Sequence, residues 1–168
     1  ISSETYWLSE TPKVISIGWD ASMERIVSFG EFLDKETKES IFIFNCHFDH
    51  RGKLSRENSA KLILKILEKK EIEIKKVIVM GDLNCLPDSK PIKTLKSKLE
   101  DSYEISEKKP YGPKGTSNGF DLDRLIERRI DYIFTKNIEV LQHRIIDDRR
   151  TNNLFISDHL PVITKIKN

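Results

Sequence analysis

Ser157-Asp158-His159-Leu160-Pro161-Val162, near the C-terminus, places an acid and an imidazole side by side just before an alternating, strand-like run. Three earlier segments have a related construction, in which a polar group begins, ends or interrupts an apolar run of β type. They are Asn45-Cys46-His47-Phe48-Asp49-His50, Gly81-Asp82-Leu83-Asn84 and Arg129-Ile130-Asp131-Tyr132-Ile133-Phe134. Because ligands of α/β proteins bind at strand ends, the four motifs predict one polar site built on a sheet.

Length and composition indicate a single domain covering residues 1–168. The chain has 168 residues, of which 38% are hydrophobic, and this is enough for one core. The formal net charge of +2, with 33% charged residues, is too balanced to indicate a nucleic-acid-binding protein by charge alone. No apolar run approaches the roughly 20 residues of a membrane span, so we expect no transmembrane segment. The two cysteines, Cys46 and Cys85, favour two buried thiols, with a single disulfide left open.

Apolar periodicity predicts alternating strands and helices. Strands are expected at residues 7–8, 25–32, 41–47, 77–80, 130–134, 138–146 and 161–166. Helical spacing of apolar residues predicts an amphipathic helix at 55–70, and a shorter helix is expected at 92–99. Residues 106–119, rich in proline and glycine, are expected to form a long irregular loop of the kind that often carries function. The strand–helix–strand order predicts an α/β fold.

Asp82 and Asn84 follow the strand at 77–80. Residues i and i+2 of a strand project to the same face, so a carboxylate and an amide would stand side by side at its C-terminal end. Asp82 could orient and deprotonate a water molecule, and Asn84 could hold that water or a phosphoryl oxygen. The alternative is a plain turn, because Gly-Asp-x-Asn is also ordinary turn chemistry.

The histidine motif at the end of the strand 41–47 offers a second set of polar groups. His47 and Asp49 have the same i, i+2 relationship, with Asn45 on that face as well. A histidine can donate to a phosphate oxygen or protonate a leaving group near neutral pH. The alternative for His47 is a hydrogen-bonded residue at the edge of the core. His50 is expected to face solvent in a loop.

Asp158 and His159 can converge on one metal ion or phosphate if they stand in a turn. The carboxylate of Asp158 suits a hard cation such as Mg²⁺. His159 needs an orienting partner, and Asp131 is the candidate because it is an acid set in an apolar strand. The alternative for Asp131 is a salt bridge to Arg128 or Arg129.

Taken together, these residues predict a metal-dependent phosphoester hydrolase. The chain has several carboxylates, two well-placed histidines and an asparagine, but no cysteine and histidine spacing of a zinc site. It has neither a nucleophilic serine elbow nor a glycine-rich phosphate loop. An oxygen-rich ligand set favours Mg²⁺, or Mn²⁺ in its place.

The same motifs resemble those of the endonuclease/exonuclease/phosphatase superfamily. The resemblance runs over nearly the whole chain, and it includes an early Tyr6-Trp7-Leu8-Ser9-Glu10-Thr11-Pro12 segment similar to that of a bacterial subfamily. It implies a four-layer α/β sandwich, with two central sheets flanked by helices. It also implies a family segment before Tyr6 that supplies a metal-binding glutamate. We therefore expect the C-terminal two-thirds of such a domain, with weak binding of metal.

The resemblance also implies a role for each site residue. Asp82 would activate the attacking water, with help from Asn84, and His47 would donate to the phosphate. His159, oriented by Asp131, would stabilise the pentavalent phosphorane or act as acid and base, and Asp158 would sit at the metal. Substrate contacts would come from Arg25, Tyr111, Thr116 and Asn118.

Three functions are compatible with the sequence. The leading one is hydrolysis of a phosphodiester or phosphomonoester, and the second is a truncated or inactive module that binds phosphate without cleaving it. The third is a scaffold in which the polar motifs are turns and ion pairs. The substrate is left open among nucleic acid, sugar phosphate, inositol phosphate and phospholipid head group. We expect a monomer, and the sequence does not separate a cytoplasmic from an exported protein.

Overall fold

A computed structural model describes residues 1–72 and 74–167 of the chain. It shows a mixed α/β fold with two sheets and helices, as expected. The strands are β1 Ser2–Trp7, β2 Ile26–Leu33, β3 Ser40–His47, β4 Lys76–Asp82, β5 Glu100–Asp101, β6 Lys108–Tyr111, β7 Asp131–Lys136, β8 Val140–Ile145 and β9 Val162–Ile166. The helices are α1 Lys53–Lys69, α2 Lys90–Lys96 and α3 Ser102–Ile105.

The larger sheet has six strands in the order β1-β2-β3-β4-β7-β5. Its β3 and β4 are parallel and are connected through α1, whereas the other neighbouring pairs are antiparallel. The register pairs His47 with Asp82 and Asp82 with Asp131. Three motif residues therefore stand side by side on three adjacent strands, although they are far apart in sequence.

One face of this sheet forms the main core against α1 and α2. Alternate residues of β3 and β4 are buried, as period-two patterning predicts, and they meet the apolar stripe of α1. Burying an aliphatic or phenyl side chain of this kind contributes about 1.5–3 kcal/mol relative to leaving it in water. Residues at the centre of the core are Val27, Phe44, Val77, Val79, Phe134, Ala60, Ile63, Ile92 and Leu95.

The start of α1 is fixed by a residue distant in sequence. Oδ2 of Asp20 accepts a hydrogen bond from the amide of Leu54 at 3.0 Å, and its Oδ1 accepts one from the amide of Ser55 at 2.6 Å. These bonds satisfy amides that lack a partner within the first helical turn. The helix therefore begins at Lys53, two residues before the predicted start.

The smaller sheet contains a strand that the sequence did not predict. Its order is β6-β8-β9, and β6 lies within the segment expected to be an irregular loop. Lys108, Lys109 and Pro110 have no apolar alternation, so their strand depends on parallel pairing with β8. Just after it, Gly112 has a φ of +98°, and a Cβ there would lie 1.8 Å from the carbonyl oxygen of Ile145. Only glycine allows this close approach.

Both cysteines are buried free thiols, in agreement with the favoured prediction. Burial raises the pKa of the Cys46 thiol, and it raises the pKa of the Cys85 thiol to about 11. Within residues 1–72 and 74–167, no helix combines the length and the apolar character needed to span a membrane.

Candidate active site

The turn that follows β4 places Asp82 and Asn84 together. Gly81 has a φ of +135°, and a Cβ at this position would lie 1.8 Å from the carbonyl oxygen of Cys46 on the neighbouring strand. Asn84 adopts a left-handed φ of 47°, which asparagine tolerates better than most residues. Its amide donates to Oδ1 of Asp82 at 2.8 Å. The segment is therefore a side-chain-closed turn and also presents a carboxylate and an amide at the strand end.

His47 completes this first group. Its Nε2 lies 3.2 Å from Oδ2 of Asp82 and 3.3 Å from Nδ2 of Asn84. Nδ2 of Asn84 also donates to the carbonyl oxygen of Phe48 at 3.1 Å. Burial acts to raise the pKa of the Asp82 carboxyl, but the hydrogen bonds from His47 and from the Asn84 amide outweigh it. The pKa of Asp82 is consequently below its ordinary value.

Asp131 and His159 form a second pair beside the first. Nδ1 of His159 lies 2.9 Å from Oδ2 and 3.1 Å from Oδ1 of Asp131. Partial burial acts to lower the pKa of His159, but the hydrogen bond and the charge of Asp131 outweigh this effect, with smaller contributions from Asp82 and Asp158. The pKa of His159 is therefore above its ordinary value. Burial raises the pKa of Asp131, although its bonds to Thr116 and His159 oppose that rise. The imidazole is thus held in one orientation and favoured in its charged form.

Thr116 and Asn118 bond to the backbone of the segments that carry Asp131 and His159. Oγ1 of Thr116 accepts hydrogen bonds from the amides of Ile130 and Asp131, both at 3.1 Å, while its carbonyl oxygen accepts one from the amide of Leu160 at 2.7 Å. Nδ2 of Asn118 donates to the carbonyl oxygen of Ser157 at 2.9 Å. Both side chains are fully buried. The structure places them behind the site, with their polar atoms bonded to backbone groups.

Most of the predicted site residues line an open cleft of about 510 Å³. Tyr111 is not among the residues that line it: this tyrosine lies on β6 and is exposed, with its ring 5.9 Å from the guanidinium carbon of Arg144. Asp131 lies at the side of the cleft and, with Asp82, lines an adjoining groove of about 280 Å³. The residues that line the cleft are Arg25, His47, His50, Asp82, Asn84, Ser157, Asp158 and His159.

The sequence predicted that His50 faces solvent and that Asp49 shares a strand face with His47, and the structure differs in part from both predictions. His50 is exposed but lines the cleft, and its Nδ1 lies 3.2 Å from Nη2 of Arg25. Asp49 is fully buried, with its Oδ2 3.8 Å from Nε of Arg25. The i, i+2 rule failed here because β3 ends at His47, so the next residues leave the strand. The only feature of the sequence that could have placed His50 in the cleft is its position three residues after His47.

A group of three residues could hold a metal ion. Asp82, Asp131 and His159 each offer one ligand atom, and these atoms lie within 4.8 Å of one another. Asp158, the metal ligand expected from the sequence, is outside this group, although it lines the same cleft. The two carboxylates, both from partly buried residues, suit a divalent cation, and the imidazole of His159 could join them only in its neutral form. Mg²⁺ usually keeps several water ligands, so a small protein donor set is compatible with it.

Comparison with known proteins identifies the family. The profile described as "Endonuclease/Exonuclease/phosphatase family" matches residues 7–159. The chain belongs to the endonuclease/exonuclease/phosphatase family. The match extends from the Trp-Leu-Ser-Glu-Thr-Pro segment to His159, so it includes three of the four motifs in full and the Ser157-Asp158-His159 part of the fourth.

Individual family relatives share about a third of the residues. An uncharacterized protein, L388, of Acanthamoeba polyphaga mimivirus is 31% identical over 169 residues, which cover 94% of this chain. The mannosyl-6-phosphatase Bt3783 of Bacteroides thetaiotaomicron VPI-5482 is 35% identical, with a TM-score of 0.92 over 100% of this chain. A functionally unknown conserved protein of Enterococcus faecalis V583 is 30% identical, with a TM-score of 0.91 over 99% of this chain.

These family relatives are longer than the chain. It spans 62% of the length of the mimivirus protein and 66% of both the Bacteroides and the Enterococcus proteins. The superposition on the two bacterial structures supports the sandwich architecture that the sequence predicts, with two sheets and flanking helices.

Proposed function

We propose that the protein is a divalent-metal-dependent hydrolase of phosphoric esters, acting by in-line attack of an activated water molecule. The observation that carries this proposal is the side-by-side register of His47, Asp82 and Asp131 on adjacent strands, with His159 hydrogen-bonded to Asp131. Membership of the endonuclease/exonuclease/phosphatase family supports it.

Asp82 and Asn84 are assigned to the attacking water. The lowered pKa of Asp82 keeps its carboxylate ionised at neutral pH, so it can accept a hydrogen bond from water and orient it. The amide of Asn84 fixes that carboxylate through its bond to Oδ1. His47, beside Asp82, is assigned to a non-bridging oxygen of the phosphate.

His159 is assigned to the charge that develops on the phosphorane. Because Nδ1 faces Asp131, the Nε2 nitrogen is directed away from that carboxylate and can meet a phosphoryl oxygen. A positively charged imidazole interacts more strongly with the transition state than with the bound substrate, and such interactions raise kcat.

Asp82 and Asp131 would supply carboxylate ligands to a divalent cation, with Asp158 near by in the cleft. A bound cation would neutralise phosphate charge and polarise the phosphorus–oxygen bonds. Mg²⁺ is the first ion to test, and Mn²⁺ the second, because oxygen-rich sites favour both.

A sugar phosphate is the first substrate class to test. The Bacteroides relative, 35% identical to this chain, is described as a mannosyl-6-phosphatase. A cleft of about 510 Å³ is within the range of small-molecule sites. Nucleic acids, inositol phosphates and phospholipid head groups complete the panel.

The experiment is a substrate panel with and without Mg²⁺, followed by release of phosphate or alcohol in isotope-labelled water. Hydrolysis with the label in the phosphate product is expected, and both Asp82→Asn and His159→Ala should abolish or strongly reduce it. Binding of phosphate esters without cleavage of any would instead support the phosphate-binding module.

A further inference from the structure

Arg25 carries a charge that its surroundings compensate only in part. Its side chain is 11% exposed, and its Nε finds no hydrogen-bond acceptor in the part of the chain that the structure describes. The nearest carboxylate oxygen, Oδ2 of Asp49, is 3.8 Å away, which is too long for a hydrogen bond. A guanidinium in this state favours the approach of a further anion.

Asp49 cannot come closer because other donors already hold it. Its Oδ2 accepts bonds from the amide and the hydroxyl of Ser22, at 3.0 and 2.8 Å. Its Oδ1 accepts bonds from the amides of Arg51 and Gly52, at 2.8 and 2.6 Å. These four bonds fix Asp49 as a buried anchor that sets the position of Arg25 without saturating it.

The contact with Arg25 also defines the tautomer of His50. Nη2 of Arg25 and Nδ1 of His50 are 3.2 Å apart. An arginine side chain only donates hydrogen bonds, so Nδ1 must be the accepting, unprotonated nitrogen. The ring proton then resides on Nε2. Arg25 and His50 together therefore offer N–H donors and no acceptor to a ligand in the cleft.

We propose that Arg25 and His50 form a subsite for a terminal phosphoryl group and that they select phosphomonoesters over phosphodiesters. This inference rests on the proposed hydrolysis at the same cleft. A monoester phosphate has three non-bridging oxygens and two negative charges near neutral pH, whereas a diester has two such oxygens and one charge. The N–H donors of Arg25 and His50, together with the incompletely paired charge of Arg25, match the monoester better.

The first arm of the experiment measures binding without turnover. The His50 ring signals are followed by NMR at about pH 8 with a chelator present, while inorganic phosphate or dimethyl phosphate is added. We expect a saturable shift of the His50 signals with inorganic phosphate and a response at least roughly tenfold weaker with dimethyl phosphate. Arg25→Met should abolish the shift, while Arg51→Met, which removes the same charge from a neighbouring exposed position, should preserve it.

The second arm measures selectivity in hydrolysis. p-Nitrophenyl phosphate and its methyl diester share one leaving group, so the ratio of their kcat/KM values reports recognition of the terminal phosphate. Arg25→Met and His50→Asn should each lower this ratio by roughly tenfold, whereas His50→Gln, whose amide can stand in for the Nε2 donor, should retain most of it. His159→Ala should reduce the kcat/KM values of both substrates by a similar factor.

The outcomes separate the two proposals. Equal NMR responses to both phosphates, no response to either, or an unchanged response in Arg25→Met would each overturn the subsite. An unchanged selectivity ratio in both Arg25→Met and His50→Asn would do the same. Selective phosphate binding by a protein that hydrolyses neither of these esters nor any ester of the substrate panel would leave the subsite standing and refute the proposed hydrolysis.

Discussion

Oδ2 of Asp131 lies 2.9 Å from Nδ1 of His159, although 28 residues separate the two in sequence. Asp131 begins β7 of the larger sheet, and His159 lies in the segment before β9, where it forms an isolated bridge with Ser117. The contact fixes which nitrogen of the imidazole faces the substrate. It also raises the pKa of His159 despite partial burial of the ring.

His159→Ala should lower kcat by about 10²–10³ and change KM much less, because the lost donor acts mainly in the transition state. Steady-state kinetics on the best ester of the panel provide the measurement. Ile156→Ala, at an exposed position close by in the same segment, is the control and should keep normal kinetics. A normal kcat with a raised KM would make His159 a ground-state binding residue.

Asp131→Asn should give a smaller loss of kcat and move the pH profile toward acid. Asp131 raises the pKa of His159, so its removal lets the imidazole lose its proton at lower pH. If protonated His159 is the active form, the alkaline limb of the kcat profile shifts to lower pH. A limb that stays in place after the substitution would show that another group controls it.

Mg²⁺ should bind the chain weakly in calorimetry. The metal-binding group offers two carboxylates and an imidazole, and Asp131 and Asp82 are already engaged by histidines. Mg²⁺ demands near-octahedral oxygen coordination, so most of its shell would be water. Asp82→Asn should remove the remaining heat of binding. Tight, stoichiometric binding to the unsubstituted chain would contradict this expectation.

Thr116→Val should lower the free energy of unfolding by about 1–3 kcal/mol, because it leaves the buried amide of Ile130 and the partly buried amide of Asp131 without their acceptor. Urea unfolding provides the measurement, and Ser117→Ala, at the next position, provides the control. We expect Asn118→Ala to act in the same direction, since its amide holds the backbone of Ser157. A rise in KM with unchanged stability would instead place the two residues in contact with substrate.

His143 should make the fold sensitive to acid. The ring is 1% exposed, and burial, aided by the charge of Arg129, lowers its pKa from 6.5 to about 4. Between these values the unfolded chain binds a proton that the folded chain does not, so stability falls as the pH decreases through this window. The loss should be on the order of 3 kcal/mol.

Urea unfolding at several pH values tests this effect of His143. His143→Gln keeps a polar group next to Ser102, which bonds to Nδ1 at 2.9 Å, and it should flatten the pH dependence below about pH 6.5. Equal slopes in the original chain and in His143→Gln would rule His143 out as the source.

Much of the site followed from the sequence because its residues end or begin strands. His47, Asp82 and Asp131 each terminate or open an apolar run, and neighbouring strand ends meet at one edge of a sheet. For Asp131, the cost of burying an unpaired carboxylate left two partners open, His159 and a neighbouring arginine, and the family resemblance implied His159. The structure shows the contact with His159. The strand-end argument needs only local patterns and general chemistry.

The rest depends on contacts between distant segments. The Asp20 cap of α1 acts across more than 30 residues, and β6 exists through its pairing with β8. The resemblance implied that Thr116 contacts substrate, and nothing in the local sequence indicated that its side chain is buried. His50 is exposed in a loop, as expected, but its place in the cleft was not predicted, because strand geometry says nothing about the chain after the strand has ended.

The glycine before Asp82 has a consequence for redesign of the cleft. To change the substrate, one would vary Arg25 and His50, which line the cleft and lie outside the strands. Gly81 takes no part in the chemistry, yet the carbonyl oxygen of Cys46 occupies the space that any side chain there would need. Libraries that randomise the whole Gly-Asp-Leu-Asn segment would therefore consist mostly of misfolded variants, so Gly81 should be kept constant while its neighbours vary.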